Sequence, residues 1–128
     1  MLIKLLIVGA GGFVGAILRY SVGTGAHKIL GTNFPYGTLT VNILGCLIIG
    51  LLMGTHITKE ILSEELKLLF IVGMLGSFTT FSAFGLDTIQ LFRNESHHLG
   101  IANILLHFII CLTATWFGFF LTTRKVVG

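Results

Sequence analysis

Four apolar stretches, each long enough to cross a lipid bilayer as a helix, constrain this chain more than any other feature. They cover residues 5–26, 36–55, 68–92 and 99–121. A transmembrane helix needs about 20 consecutive, mostly apolar residues. Only 10% of the 128 residues are charged, against roughly 25% in a soluble domain, so the chain cannot cover itself with a surface suited to water. The sequence predicts one all-α, multi-pass domain spanning residues 1–128, in the cell inner (plasma) membrane.

The basic residues give only a weak indication of orientation. Four spans place both termini on one side of the membrane, and cytoplasmic segments are enriched in Lys and Arg. That side carries five basic residues: Lys4, Lys59, Lys67, Arg124 and Lys125. The other side carries Lys28 and Arg93, or three if Arg19 counts as a loop residue. The bias favours cytoplasmic termini but is small enough to permit a mixed orientation. Because these charges are scattered, no nucleic-acid-binding surface is predicted.

The motif GAGGFVG at residues 9–15 resembles the glycine turn of a dinucleotide-binding domain. Such a turn holds a pyrophosphate at a helix N-terminus and needs an acidic residue about 20 residues later. The first acidic residue in the chain is Glu60. We therefore assign Gly11 and Gly15, like the similar pair Gly50 and Gly54, to close helix packing in lipid, and we predict no enzymatic activity.

Polar side chains inside a span are costly and therefore informative about function. Arg19 is compatible with two interpretations: snorkelling to the headgroups beside Tyr20, or a cation at the mouth of an anion route. Asn42 shares a helical face with Thr38 and Gly45. Its carboxamide could bond a neighbouring helix or donate to something that passes through.

The remaining polar groups of the spans have simpler interpretations. Cys46 and Cys111 lie in apolar stretches and are predicted to be small packing residues, without a disulfide or metal framework. Asp87 is expected at the membrane interface. Four further side chains are expected to hold helices together: Asn103, His107, Thr113 and Thr115.

The stretch GSFTTFSAFG at residues 76–85 interrupts the third span with poor helix formers. Local unwinding there would free backbone carbonyls, which at membrane depth need protein, water or an ion. Such carbonyls can hold a sodium ion. Phe81 and Phe84 share a face if the helix resumes beyond the break. They either fill the core or turn their positive ring edges toward an anion.

Three segments together resemble the Fluc (CrcB-type) fluoride channels: GGFVGAILRY (11–20), PYGTLTVNILG (35–45) and GMLGSFTTFSAF (73–84). The resemblance covers essentially the whole chain. It implies four transmembrane helices with a broken third helix, assembled as an antiparallel, dual-topology homodimer in the lipid bilayer. It also implies two passive fluoride pores and a central structural sodium ion.

By motif position, the resemblance assigns the fluoride pore to Asn42, Phe81, Ser82 and Phe84, with Arg19 near the vestibule. It assigns the sodium ion to the backbone carbonyls of Gly76 and Thr79 in both subunits. Ala83 departs from the family pattern, because similar sequences often carry a threonine there. Thr113 or Thr115 could supply polar pore groups from the fourth span.

Two other functions suit a small four-span protein. A dual-topology, proton-coupled drug-efflux transporter has a similar length but needs a carboxylate embedded in the membrane, and the first, second and fourth stretches contain none. A non-transporting assembly subunit needs only glycine pairs and polar contacts between helices. It leaves the clustered polarity of residues 76–85 unexplained, so a fluoride channel is the prediction.

Overall fold

The computed structural model describes the backbone of residues 1–54 and 62–127, and the side chains of those residues up to Thr123. Lys59, counted above for orientation, lies outside the described residues, and the side chains of Arg124 and Lys125 are likewise not described. Four helices are long and apolar enough to span a membrane: Leu2–Leu30, Tyr36–Gly54, Glu64–Arg93 and His97–Thr123. All regular structure within the described ranges is helical. The prediction of an all-helical membrane protein with four spans is confirmed.

The first two spans are continuous helices and the last two are not. The elements in chain order are α1 (Leu2–Leu30), α2 (Tyr36–Gly54), α3 (Glu64–Lys67), a π-helical stretch (Leu68–Leu75), α4 (Gly76–Phe78), α5 (Phe81–Arg93), α6 (His97–Leu106), a second π-helical stretch (His107–Cys111) and α7 (Leu112–Val127). The third span therefore consists of α3, the first π-helical stretch, α4 and α5. The fourth span consists of α6, the second π-helical stretch and α7.

Local sequence explains several helix ends. α1 ends just before Gly31, whose φ of 95° lies in the region that only glycine adopts without strain. Pro35 precedes α2, where the missing N–H of proline costs nothing. α3 begins after Ser63, whose Oγ accepts a hydrogen bond from the N–H of Leu66 at 3.4 Å. The short connections at residues 31–35 and 94–96 leave the spans on either side of them antiparallel.

Glycines allow the close packing of α1 on the third span. A Cβ atom added to Gly11 would collide with the backbone carbonyl oxygen of Leu69, and one added to Gly15 with that of Met74. From the other side, a Cβ on Gly73 would lie 2.6 Å from the carbonyl oxygen of Val8. These helices touch backbone to backbone, as predicted for the first glycine pair.

The second glycine pair does the same for α2 and the fourth span. Gly50 faces the backbone of Thr115, and Gly54 faces that of Phe119. A Cβ on Gly118 would lie 2.6 Å from the carbonyl oxygen of Leu47. The prediction that both glycine pairs serve helix packing is confirmed.

Each of these tight contacts joins two helices that run in the same direction. Residue numbers rise together along both members, from Gly11 opposite Leu69 to Gly15 opposite Met74. At the N-terminal ends of α1 and the third span, Lys4 Nζ and Glu64 Oε1 form an exposed ion pair at 2.5 Å. Exposed pairs contribute little stability, but this one places the two helix starts at the same level.

Candidate functional site

The third span is interrupted between α4 and α5, inside the GSFTTFSAFG stretch. Thr79 (φ −86°, ψ 159°) and Thr80 (φ −154°, ψ 119°) have extended backbone. In a continuous helix the N–H of Thr80 would bond the carbonyl of Gly76. It donates instead to Oδ1 of Asn42 at 2.9 Å. The Gly76 carbonyl therefore loses its usual donor.

Asn42 holds this interruption from the neighbouring helix α2. Besides accepting from the N–H of Thr80, its Nδ2 donates to the Thr80 carbonyl oxygen at 3.0 Å, so one carboxamide satisfies both backbone groups of one residue. Asn42 is buried. One turn on, a Cβ at Gly45 would collide with the Thr79 methyl group, so glycine leaves room for the extended segment. The interhelical bond considered for Asn42 is present, and its second Nδ2 proton is left for another acceptor.

Thr80 also caps the helix that follows the break. Its Oγ1 accepts a hydrogen bond from the N–H of Ala83 at 3.1 Å, and it lies 3.1 Å from the exposed Oγ of Ser82. In a continuous helix the N–H of Ala83 would bond the carbonyl of Thr79. The cap thus frees the Thr79 carbonyl just as Asn42 frees that of Gly76.

Phe81 and Phe84 form a ring pair with very different surroundings. Their centroids are 5.2 Å apart and their planes are tilted by 52°. Phe84 is buried, 4.5 Å from the ring of His107 and 6.3 Å, edge to face, from that of Phe108. Phe81 is 77% exposed. Packing within one chain therefore explains the position of the Phe84 ring, but it does not explain that of the Phe81 ring.

A groove of about 450 Å³ opens beside the interruption, between α2, the third span and the fourth span. Its wall is mainly apolar, with polar groups at a few positions. Five of the predicted site residues line it: Asn42, Gly76, Thr79, Phe81 and Phe84. Ser82 and Arg19 do not line it. Ser82 stays close through Thr80, whereas Arg19 lies half-buried on α1 beside Tyr20, which is 76% exposed.

The fourth span contributes His107 to the groove. The sequence alone did not predict His107 as a site residue. Thr113 and Thr115 do not line this groove. Thr113 is exposed, and Thr115 Oγ1 donates to the carbonyl of Cys111 at 3.1 Å. Cys111 lies four residues after His107 on the same helical face and also lines the groove. The spacing of His107 and Cys111 is visible in the sequence, but it does not distinguish a groove wall from plain packing.

A chain of buried hydrogen bonds connects Phe84 to the fourth span. Thr88 Oγ1 donates to the Phe84 carbonyl oxygen at 2.7 Å and accepts from Nδ2 of Asn103 at 2.9 Å. His107 Nδ1 bonds the carbonyl oxygen of Asn103, also at 2.9 Å. The contacts expected of Asn103 and His107 between helices are thus partly present. Asn103 is fully buried, and its Oδ1 has no partner in the described part of the chain.

The other polar and sulfur-bearing residues behave as packing groups. Cys46 and Cys111 are free thiols in the groove wall, with Cys111 buried. Asp87 is half-buried and its Oδ2 accepts a hydrogen bond from Thr38 at 2.6 Å, linking α2 to α5.

Comparison with known proteins shows which family and which named relatives the chain resembles. Residues 6–119 match the family model described as "CrcB-like protein, Camphor Resistance (CrcB)". A relative from Clostridium perfringens is 47% identical over 106 residues, or 83% of either chain. One from Dehalococcoides mccartyi is 40% identical over 118 residues, covering 92% of this chain and 91% of the relative. One from Sorangium cellulosum is 37% identical over 121 residues, covering 94% and 95%. Each of the three is named "Fluoride-specific ion channel FluC".

Proposed function

The chain belongs to the CrcB family, and on that premise we propose that it conducts fluoride passively out of the cell. Its relatives are named ion channels, a class without enzymatic chemistry. Hydrogen fluoride is a weak acid that crosses lipid uncharged and dissociates in the more neutral cytoplasm. The trapped anion then leaves through the pore. A membrane potential that is negative inside drives it outward, by about 2.3 kcal/mol per charge per 100 mV.

The arrangement that carries this proposal is the pair Phe81 and Phe84 beside a helix interruption clamped by Asn42, all in one groove. A bare anion in a low-dielectric interior is prohibitively costly unless the protein replaces its water. The ring edges of the two phenylalanines offer weak positive potential, and Asn42 retains one N–H. The hydroxyls of Thr80 and Ser82 add donors at the rim. Weak, repeated contacts suit conduction, because a tightly held ion does not leave.

A second copy of the chain is the proposed partner, in the opposite orientation. Phe81 leaves 77% of its surface uncovered at the open side of the groove, where a symmetry-related subunit could cover it. Two-fold symmetry would then repeat the groove and give two pores. The weak bias in basic residues is compatible with insertion in both orientations. We place this dimer in the cell inner membrane.

The carbonyl groups of Gly76 and Thr79 suit a structural sodium ion. Both have lost the N–H donor that a continuous helix would supply, one to Asn42 and the other to Thr80. Freed backbone carbonyls are oxygen ligands of the kind that hold sodium in broken membrane helices. Gly76 is exposed, so the two carbonyls of one chain could join those of a second copy around one ion. Sodium would supply positive charge at the centre of the dimer.

Reconstituted protein should release fluoride from loaded liposomes at least about 100-fold faster than chloride, because only the smaller halide fits the donors of the groove. A fluoride electrode and a chloride electrode measure the two effluxes under the same potential. Protein-free liposomes are the control. Equal fluxes of the two halides contradict the proposal, and transport of organic cations driven by protons would favour the drug-efflux alternative.

Phe81→Ile and Phe84→Ile should each lower fluoride efflux about fivefold, since loss of a ring edge contact worth ~1 kcal/mol raises the barrier for the ion. Isoleucine keeps apolar volume, so the chain should still assemble, which size-exclusion chromatography checks. Phe13→Ile is the matched control, because Phe13 is similarly exposed, at 69%, but lies on α1 outside the groove. Full efflux in both pore variants would reduce these rings to packing groups.

A further inference from the structure

His107 is a buried basic side chain in the groove wall that the conduction proposed above does not use. It is 7% exposed, and its ring centroid lies 4.5 Å from that of Phe84. Among the described residues that line the groove, it is the only basic one. A fluoride ion moving along Phe84 therefore passes a group that can change its charge.

The hydrogen bonds of His107 decide which ring nitrogen carries the proton. Nδ1 lies 2.9 Å from the carbonyl oxygen of Asn103. A carbonyl can only accept, so Nδ1 is the donor, and in the neutral ring Nε2 is left with a lone pair. Nε2 is buried and bonds no other group among residues 1–54 and 62–123. The neutral ring thus holds a buried, unpaired acceptor in the groove wall, and an anion that reaches it needs a donor instead.

We propose that His107 binds a proton and a fluoride ion together, as a proton-coupled anion site next to Phe84. The inference rests on the proposed fluoride conduction. Protonation adds an N–H at Nε2 and a positive charge, and the fluoride ion accepts that hydrogen bond. A charge-assisted bond of this kind is strong in a site that excludes bulk water. By linkage, each ion raises the affinity for the other by the same factor.

The surroundings of His107 support the charged form only in part. Asp87, on α5, lies within electrostatic range of His107. The other titratable side chains facing this part of the groove are two thiols, Cys46 from α2 and Cys111 from the fourth span. Burial of an isolated imidazolium is unfavourable. An anion beside the ring offsets that cost, so the proton and fluoride should arrive together.

Fluoride binding and efflux measured from about pH 8 to about pH 5, where histidine titrates, test the inference. For the wild-type protein, apparent fluoride affinity should rise about 5- to 10-fold on acidification, at the low end of usual coupling factors. His107→Gln keeps a neutral amide donor that does not titrate, and its affinity should change less than about 2-fold over the same range. His98→Gln, on an exposed residue outside the groove, is the matched control and should behave as wild type. Protein-free liposomes correct for hydrogen fluoride that crosses the lipid at acid pH.

A second measurement does not depend on the variant. Adding fluoride to the wild-type dimer in weakly buffered detergent solution should cause net proton uptake, read by a pH electrode, and adding chloride should not. Absence of uptake, or the same pH dependence in His107→Gln as in wild type, overturns the inference. If wild-type fluoride efflux is constant across the pH range, His107 does not have this role, but the proposed fluoride conduction still stands. No fluoride efflux at any pH refutes both proposals.

Discussion

Asn42→Asp should lower fluoride efflux by a factor of at least about 100, a rise of ~2.7 kcal/mol in the barrier. The carboxylate cannot donate to the Thr80 carbonyl, which now faces a negative oxygen where Nδ2 stood at 3.0 Å. It also places a like charge in the wall of an anion path. Both effects act at a buried position, where they are strong. Efflux from liposomes, normalised to the amount of folded protein, gives the result.

Two companion variants separate the causes of this loss. Asn42→Ala removes both bonds to Thr80 without adding charge. If Asn42 only holds the interruption, it should be as inactive as Asn42→Asp. If Asn42 also faces the ion, the aspartate variant should be the worse of the two. Asn33→Asp makes the same chemical change at an exposed residue between α1 and α2 and should conduct normally. Wild-type efflux in Asn42→Asp would leave Asn42 with neither role.

Gly15→Ala should prevent stable folding, because one methyl group there collides with the backbone oxygen of Met74 and with Ser77 Oγ. A backbone atom cannot move aside as the end of a flexible side chain can. The two helices must therefore move apart. We expect a loss of about 3 kcal/mol or more in the free energy of unfolding, at the upper end for overpacking. The melting temperature of the detergent-solubilised protein, followed by size-exclusion chromatography after heating, measures the effect.

The matched control lies on the same helix. A Cβ atom added to Gly9 would lie more than 4 Å from every described residue outside its own stretch of α1. Gly9→Ala should therefore fold as well as wild type or slightly better, since alanine favours helix by about 1 kcal/mol over glycine. Equal stability of the two variants would mean that the contact between α1 and the third span can relax without cost.

Sequence alone predicted the elements of this fold because their causes are local. Span number follows from apolar length, and close packing at Gly11 and Gly50 follows from the absence of side chains. The poor helix formers at residues 76–80 marked the region in which the backbone becomes extended at Thr79 and Thr80. Phe81 and Phe84 are neighbours because helical geometry makes them so.

The partners of the polar groups could not be predicted, because they depend on how separate helices meet. The bond between Asn42 and the Thr80 backbone joins residues 38 positions apart. His107 shares one face with Asn103 and Cys111, a spacing equally typical of plain packing, and only the position of Phe84 brings it into the groove. Thr113 and Thr115 have a suitable chemistry, but Thr113 is exposed and Thr115 lies one turn beyond Cys111, outside the groove lining.

The pairing of parallel helices has a consequence for synthesis of the chain. α1 finds its closest partner not in α2 but in the third span, and α2 finds its own in the fourth. A nascent chain that has inserted only two helices therefore holds two glycine faces with nothing to cover them. Gly50 and Gly54 stay uncovered until the last helix has left the ribosome. Close packing of α1 therefore waits for insertion of the third span, and that of α2 waits for the fourth.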